Sequence, residues 1–284
     1  MGSDSHNQIP AIDISTSSTE LDRGTEEWNS LCKRVREACE NYGCFEIVYD
    51  KIPLQLKAET FSMIRPLFNL PAETKKKNIN PKPFHGYYEK TPIAPLYESF
   101  GIDDSSNYES FRSFTELMWP NGHDQFCNTV VTMVKKLDEL KEMIEMMILD
   151  SYGLGEKLNS IIECKTHLRR LKLKPRMDNG SCSLSPTSYV FIVADLLMAW
   201  SNGRMHSLKH RAMMSGEKDQ YSLGAFSSPV EGTIIKAEKE LVDKEHPRIL
   251  KDFDFKDFSR FAFTKEGSAI DSEMQVFAYA GIST

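Results

Sequence analysis

The hydrophobic pattern of this chain changes character at Gly155, and that change limits the folds it can adopt. Before Gly155, apolar residues recur at helical spacing from Phe126 to Ile148, as they do along the buried face of a long helix. After it, leucines interleave with basic residues from Leu168 to Leu173, and the run from Tyr189 to Ala194 is continuously apolar. Runs of this length are typical of strands. The pattern therefore predicts a helical segment followed by a β-rich part.

The N-terminal part alternates strand and helix signals. Ile9 to Ser15 predicts a short strand with Ile12 and Ile14 on one face, and Cys44 to Val48 predicts a second strand. Helical spacing between Trp28 and Cys39 predicts a helix that stops by Gly43, and another helix is expected from Leu54 to about Asn69.

The rest of the chain gives weaker local signals. Prolines, glycines and aromatic residues without clear periodicity favour a long ordered loop region from Pro81 to Asn107. Near the C-terminus, short strands are expected at Ser207 to Met213, Tyr221 to Ser227 and Thr233 to Lys236.

Composition narrows the classes of partner and compartment. The chain has 284 residues and a net charge of -6, which disfavours nucleic acid or an anionic membrane as the main partner. Its longest apolar stretch falls well short of the about 20 residues that a membrane span needs, and the polar N-terminus lacks a secretory signal. The six cysteines have no Cys-X-X-Cys spacing, so free thiols are expected. We expect a cytoplasmic monomer.

One composite motif links the chain to a family. The stretch from Ser201 to Arg211 reads Ser-Asn-Gly-Arg-Met-His-Ser-Leu-Lys-His-Arg, and Gln220-Tyr221-Ser222 follows it. This string resembles the distal active-site signature of the plant iron(II)/2-oxoglutarate-dependent dioxygenases. In that family, Asn-Gly-Arg or Asn-Gly-Lys precedes His-Arg, and Arg-X-Ser follows about ten residues after the histidine.

Motifs in the N-terminal half agree with this resemblance. Tyr42-Gly43-Cys44-Phe45 and Leu70-Pro71-Ala72-Glu73-Thr74-Lys75 are similar to the family's N-terminal domain. The stretches from Pro81 to Tyr87, from Glu98 to Ile102 and from Phe114 to Pro120 resemble most the branch that includes the glucosinolate side-chain dioxygenases. The resemblance spans nearly the whole chain.

The resemblance implies a fold and a division of the chain. The fold class is α+β, with an N-terminal α/β portion followed by an incomplete double-stranded β-helix, or jelly roll. Residues 7–107 would form the N-terminal dioxygenase-type domain and residues 108–160 a helical connector. Residues 161–284 would form a shortened jelly-roll domain.

The resemblance also implies cofactors and site residues. Such enzymes use iron(II) and 2-oxoglutarate to oxidise a small plant metabolite. His210 matches the distal iron ligand, and Gln220 and Ser222 match the 2-oxoglutarate site. If residues 207–213 form a strand, period-two geometry points His210 inward with Leu208.

The proximal half of the signature is missing. None of the seven histidines is followed two places later by Asp or Glu, although the family binds iron through a His-X-Asp pair. Only ten residues separate Lys174 from Ser185, where the family carries several strands. The family's arginine, which clamps the far carboxylate of 2-oxoglutarate, is Gln220 here. Losing such a charge typically costs about 2–5 kcal/mol. His210 is then the only surviving ligand, and the 2-oxoglutarate site is vestigial.

Three functional hypotheses follow. The first is a family member that is inactive or impaired in this form, through a skipped exon or a misjoined gene. The second is a working oxygenase in which Asp178 and Cys182 supply replacement ligands. The third is a pseudoenzyme that binds a small molecule or a partner protein through its N-terminal portion and the loop from Pro81 to Asn107. The sequence leaves the substrate open.

Overall fold

The computed structural model describes residues 9–15, 22–82, 85–91, 97–156, 164–173, 187–210 and 220–282. Its helices and strands are, in chain order, β1 (Ala11–Asp13), α1 (Glu26–Asn41), β2 (Cys44–Val48), α2 (Leu54–Phe68), α3 (Ala72–Lys75), β3 (Gly86–Tyr88), β4 (Tyr97–Ile102), α4 (Tyr108–Met118), α5 (Asp124–Ser151), β5 (Cys164–Leu173), β6 (Ser188–Ile192), α6 (Asp195–Trp200), β7 (Gln220–Pro229), β8 (Ile234–Ile235), β9 (Phe253–Asp254), α7 (Phe255–Ala262) and α8 (Gln275–Ala280).

Helix α5 is the shared support of the two larger sheets. Its apolar stripe is buried, as the spacing predicted, and includes Val130, Met133, Ile144 and Met147. The half nearer its C-terminus packs in one core with α1, while the half nearer its N-terminus packs in another with α2 and α4. The helix begins where the His123 side chain accepts a hydrogen bond from the backbone N–H of Phe126, which satisfies one of the donors at its first turn.

The first sheet has three strands in the order β1-β2-β6. Strand β2 runs parallel to β1 and antiparallel to β6, with Phe45 opposite Phe191 and Ile47 opposite Tyr189. Phe45 and Ile47 are buried together with Ile12 and the apolar face of α1. That face is formed by Trp28, Leu31, Val35 and Cys39 at helical spacing, so amphipathic periodicity determines which side of α1 meets the sheet.

The second sheet has four antiparallel strands in the order β3-β4-β5-β7. Phe100 and Ile102 of β4 lie in the core formed with α2, α4 and α5, and Tyr221 and Leu223 of β7 pack against the same core. Because side chains alternate across a strand, one face of this sheet meets the helices. Ser222 lies on the opposite face and is exposed.

The C-terminal part forms a third core. Strands β8 and β9 pair antiparallel, and Ile235, Phe253, Phe258 and Val276 are buried together with residues of α6 and α8. Within the described residues, no helix is long and apolar enough to cross a membrane. The four described cysteine side chains, Cys32, Cys39, Cys44 and Cys127, are buried free thiols, as the spacing of the cysteines led us to expect.

Most strand and helix predictions are confirmed, with two corrections. The region from Pro81 to Asn107 is not simply a loop, because it contains β3 and β4. Residues 207–210 form no strand, and residues 211–213 of that predicted strand lie outside the described residues. The division at residues 107 and 160 stays a prediction. Both larger sheets join strands from either side of these boundaries.

Candidate functional site

The Asn-Gly-Arg part of the signature forms a tight turn after α6. Asn202 and Gly203 both adopt positive φ, at 55° and 77°, a conformation that asparagine and glycine tolerate best. The Asn202 amide donates to the carbonyls of His246 and Pro247 at 3.1 and 3.2 Å and accepts from the N–H of Ile249 at 3.2 Å. Because Asn202 is buried, these bonds fix residues 246–249 against the turn.

Arg204 of the same motif also has a structural contact. Its guanidinium donates to the carbonyl of Leu241 and forms an ion pair with Asp243 at 3.0 Å. The Asp243 carboxylate in turn accepts from the backbone and ring of His246. These bonds hold the pKa of Asp243 below its usual range, chiefly through His246. Arg204 therefore links the turn to the loop that carries Leu241 and Asp243.

The segment from His206 to Leu208 docks on the first sheet through its backbone. The N–H of His206 donates to the carbonyl of Cys39 at 3.0 Å, and that of Leu208 donates to Val193 at 3.4 Å. The Ser207 hydroxyl donates to Asp195 at 2.9 Å. Burial raises the pKa of the Asp195 carboxyl, and the bond from Ser207 opposes that shift. These isolated hydrogen bonds, rather than the regular pairing of a β-strand, hold the segment in place.

His210 does not point into a β-core, contrary to the prediction. It lies outside any strand and is exposed, because the chain leaves the sheet after Leu208. Its Nδ1 lies 2.9 Å from the carbonyl oxygen of Leu208. A carbonyl only accepts, so Nδ1 is the donor in this bond. A metal would therefore be bound through Nε2.

The residues matched to the 2-oxoglutarate site lie at the start of β7. The backbone of Gln220 pairs with Leu173, and Ser222 pairs with Leu171 in the register of β5 and β7. Ser222 is exposed on the sheet face opposite the helices. The residues that match the family's Arg-X-Ser motif thus lie on an antiparallel strand. Position 222 keeps the serine hydroxyl, and position 220 has an uncharged amide in place of the arginine.

The described residues do not fit an iron site. Non-haem iron of this type needs two histidines and a carboxylate on one face, yet no group of three His, Cys, Asp or Glu side chains with metal-binding proximity occurs among the described residues. Asp178 and Cys182, the suggested replacement ligands, lie outside the described residues. The whole sequence has no His-X-Asp or His-X-Glu.

Curated relatives settle the ancestry. A probable 2-oxoglutarate-dependent dioxygenase of Arabidopsis thaliana, AOP1.2, is 34% identical over 95% of this chain and 96% of its own length. This chain belongs to the plant 2-oxoglutarate-dependent dioxygenase family. Its residues 9–121 match the N-terminal domain model described as the non-haem dioxygenase in morphine synthesis. The predicted family membership is confirmed.

Two further relatives cover nearly the whole of this dioxygenase-family chain. The Arabidopsis 2-oxoglutarate-dependent dioxygenase AOP3 is 26% identical over 97% of this chain and 98% of its own. A probable inactive 2-oxoglutarate-dependent dioxygenase, AOP2, is 24% identical with the same coverage. The AOP1.2 alignment has 313 positions, although 95% of this chain is only about 270 residues. More than about 40 aligned positions therefore have no residue here.

Solved structures share the fold. The rice dioxygenase for auxin oxidation superposes with a TM-score of 0.79 at 24% identity, covering 97% of this chain and all of that one. The Arabidopsis enzyme AtDAO1, in a complex with 2-oxoglutarate, gives 0.73 at 24% identity and covers 85% of this chain and all of its own. The neighbours are 2-oxoglutarate/iron(II) oxygenases, and this chain has the same mixed helix and strand architecture.

A buried ion pair in the N-terminal portion escaped the sequence analysis. Lys75 Nζ lies 2.5 Å from Glu98 Oε1 and 3.0 Å from the carbonyl of Phe68, and the Tyr87 hydroxyl donates to the same Glu98 oxygen at 2.6 Å. Desolvation and the bond to Glu98 raise the pKa of Tyr87. Lys75 ends the Leu-Pro-Ala-Glu-Thr-Lys motif, which was visible in the sequence. Its pairing with Glu98, 23 residues further along the chain, was not visible.

Proposed function

We propose that this chain is a dioxygenase-family protein whose oxygenase activity is lost or strongly impaired. The family reaction oxidises a small plant metabolite and couples that oxidation to 2-oxoglutarate decarboxylation, with iron(II) as the metal. One observation carries the proposal: the sequence contains no His-X-Asp or His-X-Glu. Without that pair, His210 has neither of the two partners needed for a three-ligand iron site.

The position of Gln220 supports the same proposal for the co-substrate. A guanidinium binds a carboxylate with two parallel hydrogen bonds and a full charge, whereas a glutamine amide offers neither. The expected loss of about 2–5 kcal/mol corresponds to roughly 30-fold to several-thousand-fold weaker binding. Ser222 remains as a hydrogen-bonding group, but a hydroxyl alone does not replace the clamp.

The internal shortening supports an incomplete jelly roll. Strands β5 and β7, which lie within residues 161–284, would belong to the surviving part of the double-stranded β-helix, and the lost residues would fall between β5 and β6. Two features favour this location: only ten residues separate Lys174 from Ser185, and more than about 40 positions of AOP1.2 have no counterpart here. We also propose that the chain divides at residues 107 and 160 into the N-terminal domain, the helical connector and the shortened jelly-roll domain.

Iron binding tests the proposal. Purified full chain is dialysed anaerobically against iron(II), and bound metal is measured beside the His210→Ala variant. We expect far less than one iron per chain, with no difference between the two proteins. One iron per chain that disappears in His210→Ala would overturn the proposal.

The same dialysis tests the replacement-ligand hypothesis. Because Asp178 and Cys182 are its suggested ligands, Asp178→Asn and Cys182→Ser are compared with the natural chain. Iron retained by the natural chain and lost from these variants would establish that hypothesis. Sequencing the transcript addresses the origin of the shortening, since an intact His-X-Asp segment between residues 178 and 185 would identify this chain as a damaged form of a working enzyme.

A second candidate function is a non-catalytic protein that binds a small molecule. It is favoured by a surface cavity of about 430 Å³ in the N-terminal portion, whose lining includes Asn78, Lys82 and Tyr88. This function requires a folded chain, so the absence of a cooperative melting transition would count against it.

The other expectations stay predictions. We propose a cytoplasmic monomer with a small-molecule ligand or substrate and without nucleic acid or membrane as a partner. The net charge of -6 supports the exclusion of polyanionic partners. Light scattering of the purified chain tests the monomer directly.

A further inference from the structure

The cavity beside β3 lies apart from the residues of the distal signature. It is enclosed by the loop from Lys76 to Lys82, by His85 and by the strand that carries Tyr87 and Tyr88. Strand β3 is at one edge of the four-stranded sheet, and β7, with Gln220 and Ser222, is at the other. At about 4.8 Å per strand, three strand spacings separate these edges by roughly 14 Å. All of the lining residues fall between Lys76 and Glu89, so none of them comes from the segment between β5 and β6.

The polar wall of the cavity is fixed by bonds to its surroundings. The Asn78 side-chain amide donates to the carbonyl of Gly101 at 3.1 Å, and the backbone carbonyl of Asn78 accepts from the N–H of Tyr87 at 2.8 Å. The Asn80 amide donates to Asp103 at 3.1 Å and accepts from the N–H of Lys82 at 3.0 Å. A wall held in this way is preorganised, so a ligand would not have to order it on binding.

The imidazole of His85 is oriented by the same acid. Its Nδ1 forms a short contact with the second Asp103 oxygen, so one carboxylate holds both His85 and Asn80. Asp103 does not line the cavity. Its carboxylate therefore contacts two lining residues without lining the cavity itself.

One cation of the lining has no carboxylate partner among the described residues. Apart from His85, three charged side chains line the cavity: Lys76, Lys82 and Glu89. Lys76 and Glu89 form an ion pair at 3.0 Å and compensate each other. Among the residues that the structure describes, no carboxylate pairs with Lys82 within 4.0 Å. Lys82 is therefore the lysine of the lining that is left without an ion-pair partner among the described residues, and it lies beside polar donors.

The rest of the lining is apolar and open to solvent. Ile79 is 84% exposed and Tyr88 is 50% exposed, and the Tyr88 ring packs edge-on against Tyr97 with ring centroids 6.3 Å apart. Large apolar side chains at this exposure gain from being covered by a ligand. The volume of about 430 Å³ falls within the usual range for small-molecule sites.

We infer that this cavity is a binding site for a small monocarboxylate with an apolar or aromatic body. Lys82 pairs with the carboxylate, while Ile79, Pro81 and Tyr88 cover the body of the ligand. A single anionic group matches the single lysine of the lining that has no carboxylate partner among the described residues, whereas a dianion would leave one charge unpaired. The site needs neither iron nor the jelly roll, so it goes beyond the proposed loss of oxygenase activity.

A matched pair of probes tests the inference on the full chain. Ligand-observed NMR titrations compare 4-phenylbutanoate with 4-phenylbutanamide, which has the same shape without the charge. A metal chelator is present throughout, so the result is independent of any iron site. We expect saturable binding of the carboxylate and binding of the amide that is about threefold to tenfold weaker.

Three variants localise the binding. Lys82→Gln should bind the carboxylate about threefold to tenfold more weakly and leave the amide unchanged, while Tyr88→Ala should weaken both probes. Lys251→Gln, at an exposed lysine outside the cavity, is the control and should bind as the natural chain does. Melting temperatures verify that each variant is folded.

Four results would overturn the inference. They are no saturable binding of 4-phenylbutanoate, equal affinity for the carboxylate and the amide, unchanged affinity in Lys82→Gln, and an equal loss in Lys251→Gln. The first would exclude a site, and the others would exclude recognition of a carboxylate by Lys82. None of them bears on iron binding, which is measured separately.

Discussion

At the scale of single residues, the distal signature has a structural role in addition to the catalytic role that its resemblance to the family implies. Asn202 makes three hydrogen bonds from a buried position with positive φ, and Arg204 holds the neighbouring loop through Leu241 and Asp243. These contacts involve neither metal nor 2-oxoglutarate. They give the motif a structural role that does not depend on an iron site.

Replacing Asn202 tests this role. Asn202→Ala removes three hydrogen bonds. It also leaves alanine at positive φ, which asparagine tolerates better because its side chain can form hydrogen bonds there. We therefore expect a loss of about 2–4 kcal/mol in the free energy of unfolding. Urea denaturation measures it. The control is Asn29→Ala on the exposed side of α1, which should change stability by less than about 0.5 kcal/mol. A loss in Asn202→Ala as small as the control's would contradict the structural role.

The buried pair of Lys75 and Glu98 gives a second prediction. Lys75→Met leaves the Glu98 carboxylate buried without its cation, and we expect a cost of about 3–5 kcal/mol by urea denaturation. The double variant Lys75→Met/Glu98→Leu should cost less than the sum of the single changes. Lys33→Met, at an exposed pair with Glu37, should cost at most about 0.5 kcal/mol. Additive effects at 75 and 98 would show that the two side chains are not coupled.

Asp150 predicts a dependence of stability on pH. The hydrogen bond from Arg23, followed by that from Trp28, lowers the pKa of its carboxyl against the opposing effect of burial. A lowered folded-state pKa stabilises the fold above the unfolded value near 3.9, and this contribution is lost as pH falls through the folded-state pKa. Asp150→Asn should therefore be less stable than the natural chain at pH 7, and the difference should shrink below about pH 4.

Thermal melts from pH 7 to pH 3 measure this difference. Arg23→Gln removes the main partner of Asp150 and should reduce the pH-dependent contribution in the same window. A gap between the natural chain and Asp150→Asn that stays constant down to pH 3 would contradict the assignment.

At the scale of elements, backbone contacts rather than a strand ladder hold the segment before His210. Gly43 has a φ of 67°, and a Cβ built there would lie 2.3 Å from the carbonyl oxygen of His206. Glycine thus allows the end of α1 to meet residues 206–208 closely. The hydrogen bond from His206 to Cys39 depends on this approach.

Two glycine substitutions separate the close approach from backbone strain. Gly43→Ala combines positive φ with the clash, whereas Gly122→Ala has a φ of 78° and nothing within 4 Å. We expect Gly122→Ala to cost about 1–2 kcal/mol and Gly43→Ala to cost at least about 1 kcal/mol more. Urea denaturation of both variants checks the difference. Equal costs would mean that residues 206–208 do not dock on Gly43.

The sequence predicted the elements whose signal is local. The stripe of α5 and the apolar face of α1 repeat at helical spacing, so the helices were visible. Strand β4 was missed because Glu98 and Ser99 are buried beside Phe100, which removes the alternation that identifies a strand. The burial of Glu98 depends on Lys75, a contact between distant residues. Residues 207–210 were predicted as a strand because pairing partners are not encoded in local pattern.

At the scale of the whole molecule, the two larger sheets join the N-terminal and C-terminal halves of the chain. Strand β6 pairs with β2, and β5 pairs with β4, so the C-terminal half completes sheets that begin in the N-terminal half. Such pairings could not be predicted from sequence periodicity, whereas the family and its missing His-X-Asp pair could. The candidate site was predicted by residue type at 210, 220 and 222, but the exposure of His210 was not.

Turnover of 2-oxoglutarate is the decisive measurement for the proposed loss of oxygenase activity. The purified full chain is incubated in air with iron(II), ascorbate and 2-oxoglutarate, and succinate is measured against a metal-free blank and an active family member. We expect no succinate above the blank, because the sequence has no His-X-Asp pair to join His210 and Gln220 stands in place of the arginine clamp. Succinate formed above the blank, and abolished in His210→Ala, would contradict it.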